Sequence, residues 1–187
     1  MRWWRRYVAD DVRWAVFQVR QSSVVSLANC PVLPAVLRGR ALWAARVRVG
    51  SGALVYGGQM VQGRGVLRLG AGTFVNYGCY FDTVANIDIG DGAYLSDHVR
   101  VLTSTHEIGA RTRRAGGLVG APVTIGAGTW VGSSAVIMPG IRIGAGCIIG
   151  AHSLVTKDCD PDGVYVGSPA RRVRSLNEES DLDEQNN

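Results

Sequence analysis

Residues 103–117 read TSTHEIGARTRRAGG, and the residue types gathered there can do chemistry. The His106 imidazole can take up a proton near neutral pH. Within hydrogen-bond reach of a hydroxyl it would act as a general base, a role typically worth ~10²–10⁴-fold in rate. Arg111, Arg113 and Arg114 follow it. They read either as plain solvated charge or as a lid over the acceptor, since extruded loops commonly serve binding. The other two histidines stand in regular stretches, His98 in LSDHVRV and His152 in GAHSLV. Both are expected at the surface.

The stretch interrupts a short repeat. Downstream, Ile125, Val131, Ile137, Ile143, Ile149 and Val155 stand six apart, several followed by glycine. Small residues (Thr129, Ala135, Cys147, Ser153) precede most of them by two. A helix would need a period near 3.6. Six-residue spacing fits short strands joined by tight corners, with the aliphatic residue pointing into the corner and glycine tolerating the turn. Such repeats wind into a parallel β-helix. Upstream, Val49–Val55–Val61, Leu69–Val75–Phe81 and Ile89–Leu95–Val101 keep the six-residue step, with a shift of two between groups. Val101 and Ile125 are 24 apart, a multiple of six. The break is therefore an excursion from a continuous coil, expected as a loop over about 107–122. Residues 49–155 would give about six coils, a prism roughly 28 Å tall at ~4.8 Å per strand.

The chain has 187 residues, 47% of them hydrophobic, and a formal net charge of +5. That length supports one domain with a sizeable core. No apolar run reaches the ~18 residues of a membrane span, and no signal peptide is evident; a cytoplasmic protein is expected. Cys30, Cys79, Cys147 and Cys159 lack CxxC spacing, which suits reduced, buried thiols. The positive charge suits ordinary solubility or an anionic partner, and no nucleic acid is expected.

The flanks should cap the coil, because an exposed end invites strand addition. Residues 3–21 carry Trp3, Tyr7, Val8, Trp14, Val16, Phe17 and Val19 among arginines, a helix with one apolar side. Residues 1–48 thus form an N-terminal helical cap, serving as packing or oligomer contact, or lying peripherally on a membrane surface. Residues 176–187 are polar and acidic and read as a disordered tail.

The run IGAGTWVGSSAVIMPGIRIGAGCIIGAHSLVTKDCDPDGVYVGSPARRVR resembles the hexapeptide-repeat O-acetyltransferases, in particular the branch with maltose, galactoside and polysaccharide-sugar acetyltransferases. The similarity covers roughly residues 66–175, with TWVG, VTKD and GSPARRVR in order after a THxxG-type segment. The resemblance implies a left-handed parallel β-helix over 49–175, a homotrimer, and acetyl transfer from acetyl-CoA to a hydroxyl. The left hand comes from the resemblance alone, since it departs from the usual crossover rule.

By the same resemblance His106 is the general base, and Asn76 helps polarise or position at the reacting centre. Asp82 hydrogen-bonds an acceptor hydroxyl, and Trp130 walls the cleft. Gly132, Ser133 and Ala151 line a slot for pantetheine. Thr156, Lys157, Arg171 and Arg174 meet the nucleotide and its phosphates, Arg172 being turned away. No metal is required. A three-histidine zinc site, as in gamma-class carbonic anhydrases of this fold, does not match the spacings here.

The opening of this chain departs from the helix pair of the soluble maltose-type enzymes and resembles acetyltransferases of cell-surface polysaccharide machinery. It points away from free maltose towards a nucleotide-linked, lipid-linked or otherwise glycosylated acceptor. A longer acyl group, an amine or non-sugar hydroxyl acceptor, and a non-catalytic β-helix scaffold remain the alternatives.

Overall fold

A computed structural model describes residues 3–30, 38 and 42–176, and of residues 3–11 the backbone only. The expected tail beyond Leu176 and the proline-containing segment 31–37 lie outside the described residues, as do the side chains of Trp3, Tyr7 and Val8.

Residues 47–166 form a parallel β-helix with three faces. Face A stacks strands 47–49, 67–69, 87–89, 123–125 and 142–143. Face B stacks 54–55, 74–75, 94–95, 130–131, 148–149 and 163–166, and face C stacks 60–62, 80–82, 100–101, 136–137 and 154–155. This makes five complete coils rather than about six. A sixth begins with the Ile143–Cys159 bridge and strand 163–166, and then strand 171–175 turns back antiparallel.

Each aliphatic repeat residue closes a strand and points into the prism. Ile125, Val131, Ile137, Ile143, Ile149 and Val155 are all buried. It is the small residue two positions earlier that turns inward at the corner, because only a short side chain fits there. Thr129, Ala135, Cys147 and Ser153 are fully buried, and the Thr129 hydroxyl donates to the Gly144 carbonyl at 2.8 Å. The glycine after the aliphatic residue is a matter of clearance. A Cβ on Gly132 would lie 2.6 Å from Ala151 N in the next coil. Cys79, Cys147 and Cys159 are buried free thiols, and burial pushes Cys79 and Cys159 up to about 12.

The shift of two in the upstream repeat has one place in the structure. Coils one to three carry their extra residues at the corner between faces C and A, and the same corner of coil three releases the excursion. The excursion is a β-hairpin rather than a loop over 107–122. Its strands, Ser104–Ile108 and Ala115–Gly120, pair antiparallel.

Helix α1 (Trp3–Ala28) runs past the expected residue 21. It closes the first coil: Gln21 Nε2 donates to the Ala45 and Gly63 carbonyls (3.3 and 3.2 Å), and Gly63 N–H donates back to Gln21 Oε1 at 3.3 Å. Val25 and Ala28 are buried beside it, while Val12, Val16, Val19 and Leu27 face outwards. None of the described helices is long and apolar enough to cross a membrane.

Truncating a fully enclosed column residue should leave a cavity the stacked coils cannot close. We expect Ile137→Ala to lower unfolding stability by ~2–5 kcal/mol, and Val173→Ala, on an exposed site, by less than ~0.5 kcal/mol, both read by urea titration.

Candidate active site

The hairpin is held at its root by one buried carboxylate. Asp82, 7% exposed, ends the face C strand of coil two. Its Oδ2 accepts from the Ser104 N–H at 2.9 Å and from the Ser104 hydroxyl, and its Oδ1 accepts from Val84 N–H at 3.2 Å. Fully buried Thr103 donates its hydroxyl to the Asp82 carbonyl at 2.7 Å and accepts from Ala85 N–H at 2.9 Å. Both Asp82 oxygens accept hydrogen bonds within the chain, and through Ser104 the carboxylate ties coil two to the strand that carries His106.

His106 lies inside the first hairpin strand, paired with Leu118, and a register irregularity separates it from the Ile108–Ala115 pair. Such bulges re-aim side chains. His106 Nδ1 lies 3.0 Å from the Gly116 carbonyl oxygen. A carbonyl can only accept, so the bond requires the proton on Nδ1. Neutral His106 then presents the lone pair on Nε2, and the ring is exposed. This is the state a general base needs. Ile108 is 90% exposed, and Leu118 and Val119 are also exposed. The hairpin therefore carries apolar side chains that nothing in the described chain covers.

The other expected site residues fall on three further places. Trp130 stands on the outside of face B, half-exposed, and its Nε1–H donates to Ser96 Oγ at 3.2 Å. Asn76, Gly132, Ser133 and Ala151 lie at the corner between faces B and C. Asn76 Oδ1 accepts from Tyr77 N–H at 2.9 Å. The Ser133 hydroxyl donates to Asp97 at 2.6 Å. That bond, followed by the nearby imidazoles of His98 and His152, holds the Asp97 carboxyl below its usual range. Gly132 is buried against the next coil, so Ala151, exposed, is the part of this group most open to a ligand. Thr156 and Lys157 are exposed at the corner between faces C and A, two coils beyond the hairpin root. Arg171 and Arg174 are exposed on the returning strand at the end of face B, and Arg171 donates to the Ala170 carbonyl at 2.9 Å. Arg172 donates to Ser175 Oγ at 3.4 Å.

Within one chain, then, His106 and Lys157 share a corner, while Ser133, Ala151 and Asn76 share another. Residues 122–157 match the family described as bacterial transferase hexapeptide (six repeats). Galactoside O-acetyltransferase of Escherichia coli K12 is 33% identical over 112 residues, 60% of this chain and 55% of that protein. The crystal structure of a maltose O-acetyltransferase from Clostridium difficile 630 gives a TM-score of 0.66 at 29% identity, covering 90% of each chain. A hexapeptide-repeat acetyltransferase from Vibrio cholerae O1 biovar eltor, complexed with acetyl-CoA, gives 0.74 at 25% identity, covering 87% of this chain and 88% of that one. Residues 122–157 thus carry the hexapeptide repeat of bacterial transferases, and the chain is similar to acetyltransferases in sequence and in fold. It spans about half the length of the curated relatives it matches.

For this hexapeptide-repeat protein, sequence reasoning missed Thr103, Ser104 and Gly116. The signal for the first two was present: polar residues directly before the break, where an aliphatic column had just ended. Gly116 acts through its backbone carbonyl, which no residue type announces.

If Asp82 fixes the hairpin, Asp82→Ala leaves Ser104 without its acceptor. Losing these bonds should cost ~1–3 kcal/mol locally. Amide exchange over 104–120 should then speed up about tenfold or more, with exchange at the core amides of 130–155 unchanged, read by mass spectrometry.

Proposed function

We propose that the protein transfers an acetyl group from acetyl-CoA to a hydroxyl of a sugar or glycoconjugate, with His106 as general base. The observation that carries this reading is the His106–Gly116 bond, which makes Nε2 the proton acceptor on an exposed ring. The acceptor O–H gives its proton to Nε2 as its oxygen attacks the thioester carbonyl. The tetrahedral intermediate then collapses, the C–S bond breaks, and the departing sulfur takes that proton from the imidazolium. No net proton or electron is left over, and no metal is invoked.

Acetyl-CoA enters the reading as a substrate. The corner of Ser133 and Ala151 offers strand-edge backbone for the pantetheine amides, and Lys157, Arg171 and Arg174 offer positive charge for its phosphates. Thr156 sits beside Lys157 and would add a hydroxyl. Trp130 presents a half-exposed indole that can wall the thioester arm. Asn76 would orient the acceptor at the corner it shares with Ser133.

The two corners are separate edges of the prism, and we read the site as one shared between two copies of the chain. A cyclic homotrimer brings one corner of each copy against the other corner of its neighbour. The uncovered Ile108, Leu118 and Val119 support the same arrangement, because an isolated two-stranded hairpin is marginal in water and these side chains need a surface to lie on.

Product analysis, variant kinetics and particle mass test the reading. Purified protein with acetyl-CoA and a panel of sugars and glycolipids should release thiol and yield products 42 Da heavier (the acetyl increment, roughly) on a hydroxyl. Transfer to an amine alone, or none across the panel, would contradict it. His106→Ala should lower kcat by ~10²–10⁴ with the fold and acetyl-CoA affinity retained. Arg174→Ala and Lys157→Ala should act mainly through KM for acetyl-CoA, less so at high salt. Light scattering should give three chains per particle, and a fully active monomer would overturn the shared site.

A further inference from the structure

His98 and His152 have no part in that mechanism, yet they share a built feature. The outside of face C holds an open groove of about 700 Å³ lined in part by Tyr80, His98, Arg100, Ser134 and His152. Five non-glycine residues among those described have positive φ, and three of them line this groove: His98 (57°), Ser134 (58°) and His152 (57°). At the same corner of the first two coils the chain uses Gly58 and Gly78. Left-handed backbone is unfavourable for a residue with a Cβ, so glycine would be the less strained choice throughout. Strain of this kind collects at functional sites. The neighbouring coil also makes room: a Cβ on Gly78 would stand 2.5 Å from His98 Nδ1.

The groups in the groove are donors without acceptors. The Arg100 guanidinium lies over the Tyr80 ring at 5.6 Å, which orients it but satisfies none of its N–H groups. Among the described residues no side-chain hydrogen bond or salt bridge is made by Arg100, His98, His152 or Ser134. The nearby carboxylate, Asp97, is bonded to Ser133 and held below its usual range by that bond first. The Tyr80 hydroxyl donates to Gln62 at 3.1 Å, and burial raises it above its usual value, so it stays uncharged. One fixed positive charge and two imidazole rings therefore face one concavity. His98 and His152 are two coils apart, roughly 10 Å along the stack. That is too wide for a single phosphate to meet both, and it suits a group with two linked phosphoryl units.

We propose that this groove binds a diphosphate, with Arg100 as the fixed charge, His98 and His152 as donors at either end, and the Ser134 hydroxyl between them. The diphosphate could be carried by a nucleotide-linked acceptor or by coenzyme A, and both present the same chemistry. The source of the diphosphate rests on the transferase reading, whereas binding itself is read directly and without turnover.

The test is calorimetric titration of the full chain with inorganic diphosphate, then with UDP, then with coenzyme A, in low salt. The wild type should bind diphosphate saturably, and more weakly as salt is raised. Arg100→Gln should weaken diphosphate about tenfold or more, the scale of a lost charge-assisted hydrogen bond. The double variant His98→Asn/His152→Asn, whose asparagines tolerate positive φ, should weaken it as well. Thermal melts and light scattering establish that the variants keep fold and assembly, and the histidine pair carries the test if Arg100→Gln does not fold. If the diphosphate belongs to coenzyme A, Arg100→Gln weakens coenzyme A and diphosphate competes with it. If it belongs to the acceptor, Arg100→Gln weakens UDP and leaves coenzyme A unchanged. The proposal is overturned if the wild type shows no saturable diphosphate binding, or if both variants bind it as tightly as the wild type.

Discussion

Backbone hydrogen bonds run from each coil to the next: Phe74 N–H to Ala93 O, Tyr94 N–H to Thr129 O, and Trp130 N–H to Cys147 O, all at 2.8–2.9 Å. This ladder demands that every coil return to the same register, because a slip would turn the aliphatic column outwards. Extra residues can then enter only at a corner, and they must leave the three faces untouched. The chain admits them at the corner between faces C and A. Two extra residues widen that corner early in the molecule, and the hairpin leaves from it in coil three. Coil three closes nonetheless, since Arg100–Val101 pairs with Val136–Ile137 as if nothing intervened.

A hairpin that leaves a rigid stack needs a rigid root. Asp82, Thr103 and Ser104 supply it by joining coil two to the first hairpin residue, with the carboxylate buried and its oxygens bonded. The stack is thus coupled to the hairpin through the side chains of Asp82, Thr103 and Ser104. From that root the strand carries His106 outwards, and the opposite strand orients the ring through the Gly116 carbonyl. Nothing in the described chain covers the hairpin's apolar residues Ile108, Leu118 and Val119. The feature that makes the histidine accessible therefore also leaves these side chains exposed.

The repeat was legible because six-residue spacing leaves one aliphatic residue per strand, and all six positions from Ile125 to Val155 are buried as that spacing requires. The break at residues 103–117 was legible for the same reason. Its shape was not: a hairpin and a loop differ in backbone pairing, and the bulge beside His106 has no residue signature. Asp82 could be picked out as polar and near the site, but its partners lie 22 residues away, across the fold. The strain at His98, Ser134 and His152 was hidden likewise, because these residues replace glycine at a corner whose conformation only the stacked coils impose. For α1, the apolar side was legible, whereas its outward valines show that pattern alone does not say which side a helix buries.

The tautomer of His106 tests the account most directly, because the hairpin, its root and the base all converge on it. Nitrogen-15 spectra of the imidazole, recorded above the pH at which the ring loses its charge, separate the two ring nitrogens by their coupling to the ring protons. The account predicts a protonated Nδ1 and a bare Nε2, with this preference lost in Asp82→Ala as the hairpin loosens. A ring protonated on Nε2 in the intact protein would contradict it, since the nitrogen facing the acceptor would then have no lone pair to receive the proton.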